Sequence, residues 1–161
     1  MLFRSPFGEV VAGITMGIGI TTTVIYIQSG VINLNTILVA IPTVIYISTI
    51  LLSNNLSDLQ EDLDVGRKTL PILMGVKNAE KLWIFNVIML LILTFILFVV
   101  HIYPIVVLVT VLIFFPYKSI FDFISYDKNM NTKGRTMGLI GQVGLKYHLA
   151  VIIGLLIAII L

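Results

Sequence analysis

Long apolar runs separated by short polar ones set the rhythm of this chain. A bilayer core of about 30 Å is crossed by roughly 20 apolar residues in helical form. Five runs reach that length, at about 9–28, 34–53, 82–101, 103–121 and 139–161. Only His-Ile-Tyr-Pro, residues 101–104, joins the third run to the fourth, which makes those two helices antiparallel neighbours. The pattern predicts an all-α membrane protein, a single helical domain over residues 1–161 with about five transmembrane helices. In the first run Gly13 and Gly17 form a small-xxx-small pair that lets another helix approach closely. Pro42 predicts a kink in the second.

Five spans beginning near residue 9 bring the N-terminus and the 54–81 and 118–138 connections to one face of the membrane. The 29–35 and 101–104 turns and the C-terminus lie at the other. All ten Lys and Arg residues, from Arg4 to Lys146, fall on the first face, Lys146 being read as snorkelling from near the start of the last span. The positive-inside rule makes that face cytoplasmic and the chain a multi-pass protein of the cell membrane.

Composition agrees with the pattern. Of 161 residues, 58% are hydrophobic and 11% charged, and the mean hydropathy is +1.10, outside the range of a domain with a water-facing surface. A net charge of +2, with no basic run interleaved with aromatics, argues against nucleic acid as a partner. The absence of cysteine excludes disulfides, thiolate metal sites and cysteine nucleophiles. Any metal must be held by oxygen or imidazole.

The acids are where the pattern becomes chemical. All eight lie on the basic face, and four of them, Asp58, Glu61, Asp62 and Asp64, fall in Ser53–Pro71, "SNNLSDLQEDLDVGRKTLP". If the second span continues as a helix, Asn54, Asp58 and Asp62 follow one another at i, i+4 and i+8 on one face. Like charges four apart cost about a few tenths of a kcal/mol, unless a cation sits between them. Mg²⁺ favours such a carboxylate-and-carbonyl surface, keeping waters and sharing itself with substrate phosphates. Gly66, Arg67, Lys68 and Thr69 then supply a flexible point, two cations and a hydroxyl, all suited to phosphate oxygens. An EF-hand does not fit, because the spacing of Asp62, Asp64 and Gly66 is wrong for its loop. A solvated loop whose acids balance nearby bases is the competing reading.

The stretch "NNLSDLQEDLDVGRKTLPILMG" resembles the second aspartate-rich motif of the UbiA superfamily of intramembrane prenyltransferases. It is most similar to the branch that acts on 1,4-dihydroxy-2-naphthoate in menaquinone biosynthesis. Asn54, Asn55, Asp58, Asp62, Gly66, Arg67, Thr69 and Leu70 match that pattern, and "SPFGEVVAGITMGIGI" and "YIQSG" also look like the branch. The resemblance implies a nine-helix bundle in which two aspartate motifs face each other and hold Mg²⁺ on a prenyl diphosphate. This chain resembles the last five helices, so an N-terminal half carrying the first motif is the expected partner. The resemblance makes Asp58 and Asp62 metal ligands and gives Arg67 and Lys68 the diphosphate charge. It assigns Asn54, Asn55, Thr69 and Glu9 to substrate binding. The implied activity is transfer of a polyprenyl group to an aromatic acceptor, with the isolated chain expected to be inactive.

Two other classes compete with that reading. One is a non-catalytic membrane fragment or partner subunit. The other is a small transporter, weakened by the lack of a carboxylate at mid-membrane. For Glu9, a favourable place at the positive start of the first helix competes with a site role. His101 and His148 lack partners at ligand spacing, and Trp83 beside Lys81 fits an interfacial anchor.

Overall fold

A computed structural model of the chain describes residues 7–161; Arg4 lies outside the described residues. All regular structure among them is helical, and five stretches are long and apolar enough to cross a membrane: Gly8–Ser29, Leu34–Ser57, Val76–Val99, Ile105–Ile124 and Met130–Ile160.

The first span is α1 (Gly8–Ala12), a π-helical turn (Gly13–Ile18) and α2 (Gly19–Ser29). Gly30, at a φ of 70°, closes it by donating its N–H to the Tyr26 carbonyl, a backbone geometry that glycine adopts without a side-chain clash. Asn33 then starts α3 (Leu34–Ser57) through a reciprocal cap with Thr36, which settles two of the donors a helix start leaves open. α3 runs through Pro42 without interruption. A short α4 (Leu59–Asp64) and α5 (Leu70–Met74) lead to α6 (Val76–Val99).

The fourth span is not the continuous helix that the pattern suggested. α7 (Ile105–Phe114) stops at Phe115, whose ψ of 136° is extended, and α8 (Tyr117–Ile124) restarts after Pro116. Proline lacks the N–H and pushes the preceding residue out of helical conformation. The Tyr117 hydroxyl donates to the Leu112 carbonyl across the break. A capped 3₁₀ turn, Met130–Thr132, leads into α9 (Lys133–Ile160). The last helix thus begins six residues before the apolar run at 139, with polar first turns that include Lys133, Arg135 and Thr136. Lys146 is correspondingly thirteen residues into α9, about 20 Å along its axis, beside Phe114 and Phe115. It is not near the start of the helix, as the sequence suggested.

α3 is the central element, in contact with the first span, α6 and α9, while α7 packs on α9. Gly13 and Gly17 do what their spacing implies, since a Cβ on either would overlap Val44 or Ser48 of α3. Gly144 similarly admits the Tyr46 ring to the α9 backbone. Buried hydroxyls tie the helices together: Thr94 shares a hydrogen bond of 3.0 Å with Tyr147, and Thr110 donates to the Ala150 carbonyl at 2.8 Å. Trp83 is fully buried and is no interfacial anchor. Its indole N–H donates to Ser53 Oγ at 2.8 Å, and its ring stacks on Phe123 with centroids 3.8 Å apart. Lys128 covers the Phe123 ring at 4.2 Å and pairs with Glu80 at 2.8 Å. The stack locks α3, α6 and α8 just below the acidic motif.

Candidate functional site

The acidic motif sits where α3 bends into α4. Asp58 has a φ of −92° and a ψ of 12°, yet its N–H still bonds the Asn54 carbonyl and its own carbonyl accepts from the Asp62 N–H at 2.9 Å. The helical path therefore survives the bend. Asp58 and Asp62 line one shallow basin with Glu61, Val65, Arg67, Met130 and Lys133.

Asp58 is held by Lys133, whose Nζ lies 2.7 Å from each carboxylate oxygen, and by Asn54 Nδ2, which donates to Oδ2 at 2.9 Å. Asp62 is 2% exposed. Its Oδ1 accepts from Arg67 Nη1 at 2.7 Å, whereas Oδ2 is buried with no hydrogen-bond partner among the described residues. Gly66, at a φ of 69°, turns the chain so that the Arg67 N–H meets the Asp62 carbonyl and the side chain returns over the carboxylate. The hydrogen bond that Arg67 donates to Asp62, and then the Asp62 charge, raise the Arg67 guanidinium above its ordinary value; burial opposes this, and Asp58 adds a lesser rise. Asp64 points away, exposed, and accepts from Gln60 instead.

The other expected site residues divide. Asn55, about 100° round the helix from Asn54, faces the first span, where its Nδ2 donates to Glu9 Oε1 at 2.8 Å. Glu9 is 4% exposed and its Oε2 has no partner among the described residues. These two form a buried bridge between the first span and α3 and do not line the basin. Thr69 precedes α5, buried, with an unpartnered Oγ1. Lys68 is exposed and outside the basin. Lys133 is the basin residue that the sequence reading missed. Its local signal was its place at the start of a capped helix on the same face as the motif, but the contact spans 75 residues.

The sequence pattern of the UbiA prenyltransferase family matches residues 2–137. The chain belongs to this family. Over 78 residues it is 47% identical to the 1,4-dihydroxy-2-naphthoate octaprenyltransferase of Bacillus subtilis (strain 168), a stretch covering 48% of this chain and 25% of that protein. The chain thus matches about a quarter of that relative's length. No solved structure matches it.

UbiA-family membership makes a divalent cation the group to test against this basin. The donors fit: Asp62 keeps one buried carboxylate oxygen free, and Asp58 presents a second hard oxygen donor in the same basin. Among the described residues no three His, Cys, Asp or Glu side chains converge to enclose an ion. The basin could therefore contribute part of a coordination shell, with ligand oxygens and water completing it, as Mg²⁺ prefers.

Proposed function

We propose that this UbiA-family chain contributes the diphosphate-handling end of a polyprenyltransferase that alkylates an aromatic acceptor, 1,4-dihydroxy-2-naphthoate, in menaquinone biosynthesis. The observation that carries this reading is the joining of Asp58 and Asp62 with Arg67 and Lys133 in one basin at the end of a membrane helix. Two carboxylates suit a hard cation, two bases suit phosphate oxygens, and the adjoining spans can shelter an apolar tail. Asp58 and Asp62 would hold Mg²⁺, which when bound neutralises the diphosphate as it departs. Arg67 is aimed by Asp62 and meets the same developing charge, with exposed Lys68 adding to the field. Asn54 fixes the Asp58 carboxylate. Glu9 and Asn55 act from behind, setting where the first span meets α3. As the carbon–oxygen bond to diphosphate breaks, the allylic cation is attacked by an electron-rich ring carbon of the acceptor, and the ring regains aromaticity as the carboxylate leaves as carbon dioxide.

The 47% identity to the naphthoate enzyme supports the choice of acceptor. We place the basin at the cytoplasmic face, on the side where the connecting bases gather. The activity belongs to an assembly in which helices bearing the other aspartate motif complete the site.

The test is a chimera in which this chain replaces the corresponding last five helices of the Bacillus subtilis relative, assayed for prenyl transfer to dihydroxynaphthoate. Asp58→Ala or Asp62→Ala should lower the transfer rate by on the order of a hundredfold. Asp64→Ala should keep most of it. Equal, modest losses at all three positions would reduce the motif to a generic acidic surface.

A further inference from the structure

The two carboxylates of the basin are unequally prepared for a cation. A carboxylate offers about four lone-pair sites. On Asp58 three are engaged, by Lys133 on both oxygens and by Asn54 on Oδ2. On Asp62, Arg67 engages Oδ1 and the buried Oδ2 has no partner. At Asp62 Oδ2, sealed beneath the basin surface, a cation has no bound donor to displace. It can reach Asp58 only against the Lys133 ammonium.

Lys133 is also oddly placed for its own helix. It is the first residue of α9, a helix of 28 residues, where the aligned peptide dipoles already present positive charge. A cation there is unfavourable alone and favourable with an anion, and helix starts are natural seats for phosphate. Asp58 is the anion that Lys133 holds in this structure. The lysine side chain is about one-third exposed, at 32%, and has a flexible stem, so it can leave Asp58 without unpacking the fold.

We propose that Lys133 is an internal counter-ion that competes with a divalent metal for Asp58 and moves to a diphosphate oxygen when metal and diphosphate enter together. This rests on the metal–diphosphate reading of the basin. Lys133 thereby suppresses binding of metal alone, and makes occupation of Asp58 depend on the phosphate ligand that accepts the lysine. It is a positioning residue whose task is to keep Asp58 oriented and neutralised between turnovers.

Metal binding without diphosphate tests this directly. Mn²⁺ is titrated into the detergent-solubilised full chain and bound ion is followed by electron paramagnetic resonance. Lys133→Met should bind Mn²⁺ at least tenfold more tightly than the unsubstituted chain, and adding Asp58→Asn should remove that gain. Lys133→Gln serves as a second neutral replacement, with gel filtration and Trp83 emission checking the fold. In the unsubstituted chain, methylene diphosphonate should raise the Mn²⁺ retained with protein on a desalting column about tenfold, a readout that needs no variant. Equal or weaker binding by the neutral variants, or no effect of the diphosphonate, would overturn the competition while leaving a metal site in place. Absence of Mn²⁺ binding by folded Lys133→Met would overturn the metal reading as well.

Discussion

Replacing Gly17 by leucine drives a wedge between the first span and α3. A Cβ at Gly17 would lie 2.6 Å from Val44 Cα and 2.7 Å from Val44 N. Carbon atoms rest at about 3.5–4.0 Å, so the two helices must separate by roughly 1 Å, and because the obstacle is backbone no rotamer change relieves it. Overpacking of this kind costs about 1–3 kcal/mol, and leucine, with three further carbons beyond Cβ, belongs at the upper end. The gain in helix propensity over glycine returns about 1 kcal/mol. The net loss is about 2 kcal/mol, roughly a thirtyfold fall in the ratio of folded to unfolded protein. Gly19, two residues on, is the control: nothing lies within 4 Å of a Cβ built there. Gly19→Leu therefore keeps only the favourable term, about 1 kcal/mol. The assay is unfolding in mixed micelles with increasing sodium dodecyl sulfate, followed by Trp83 emission. The two variants should move the midpoint in opposite directions. Midpoints that shift together, or by equal amounts, would refute the close-approach account of this helix pair.

Three further outcomes follow from other parts of the fold. Trp83 emission should resist iodide and bromine-labelled lipids alike, because the ring is sealed between Ser53 and Phe123; strong quenching by either would restore the interfacial reading. Lys128→Met should cost about 1–2 kcal/mol by removing the cation from the Phe123 ring and its pair with Glu80, and Glu80→Gln, which leaves the buried Lys128 ammonium without its carboxylate, should cost at least as much, as thermal unfolding in detergent would show. A cysteine replacing Lys77 should react with an impermeant maleimide only when the cytoplasmic face is open; reaction from intact cells would reverse the orientation of the basin.

Sequence pattern located the spans well because each apolar run carries its own evidence. The aspartate motif was equally local. Asp58 and Asp62 share a basin four residues apart, and Gly66 returns Arg67 to Asp62 within five. What escaped was either masked by polarity or made by the fold. The first turns of α9 are too polar to register as part of a span, which made Lys146 look close to the start of a helix that in fact begins at Lys133. Pro116 carried the signal for the break in the fourth span, but the uninterrupted hydropathy around it hid the stop. Trp83 beside Lys81 has the look of a membrane anchor, and partners distant in sequence, Ser53 and Phe123 among them, bury it. Asn54 and Asn55 are adjacent in the motif, yet helical rotation sends one to the basin and the other to Glu9.

The basin therefore depends on helix placement as much as on its own residues. Asp58 and Asn54 hang on the last turns of α3, and Ser53 in the same turn is fixed from below by Trp83, whose ring is clamped by Phe123 of α8. Phe123 reaches it from α8, which the extended Phe115 and Pro116 separate from α7. The chain then needs only the capped turn at Met130–Thr132 to deliver Lys133 to Asp58. A change in the α7–α8 break thus moves both ends of the Asp58–Lys133 pair: one through the aromatic stack, the other through the start of α9. This coupling gives a physical reason for a break inside a membrane span.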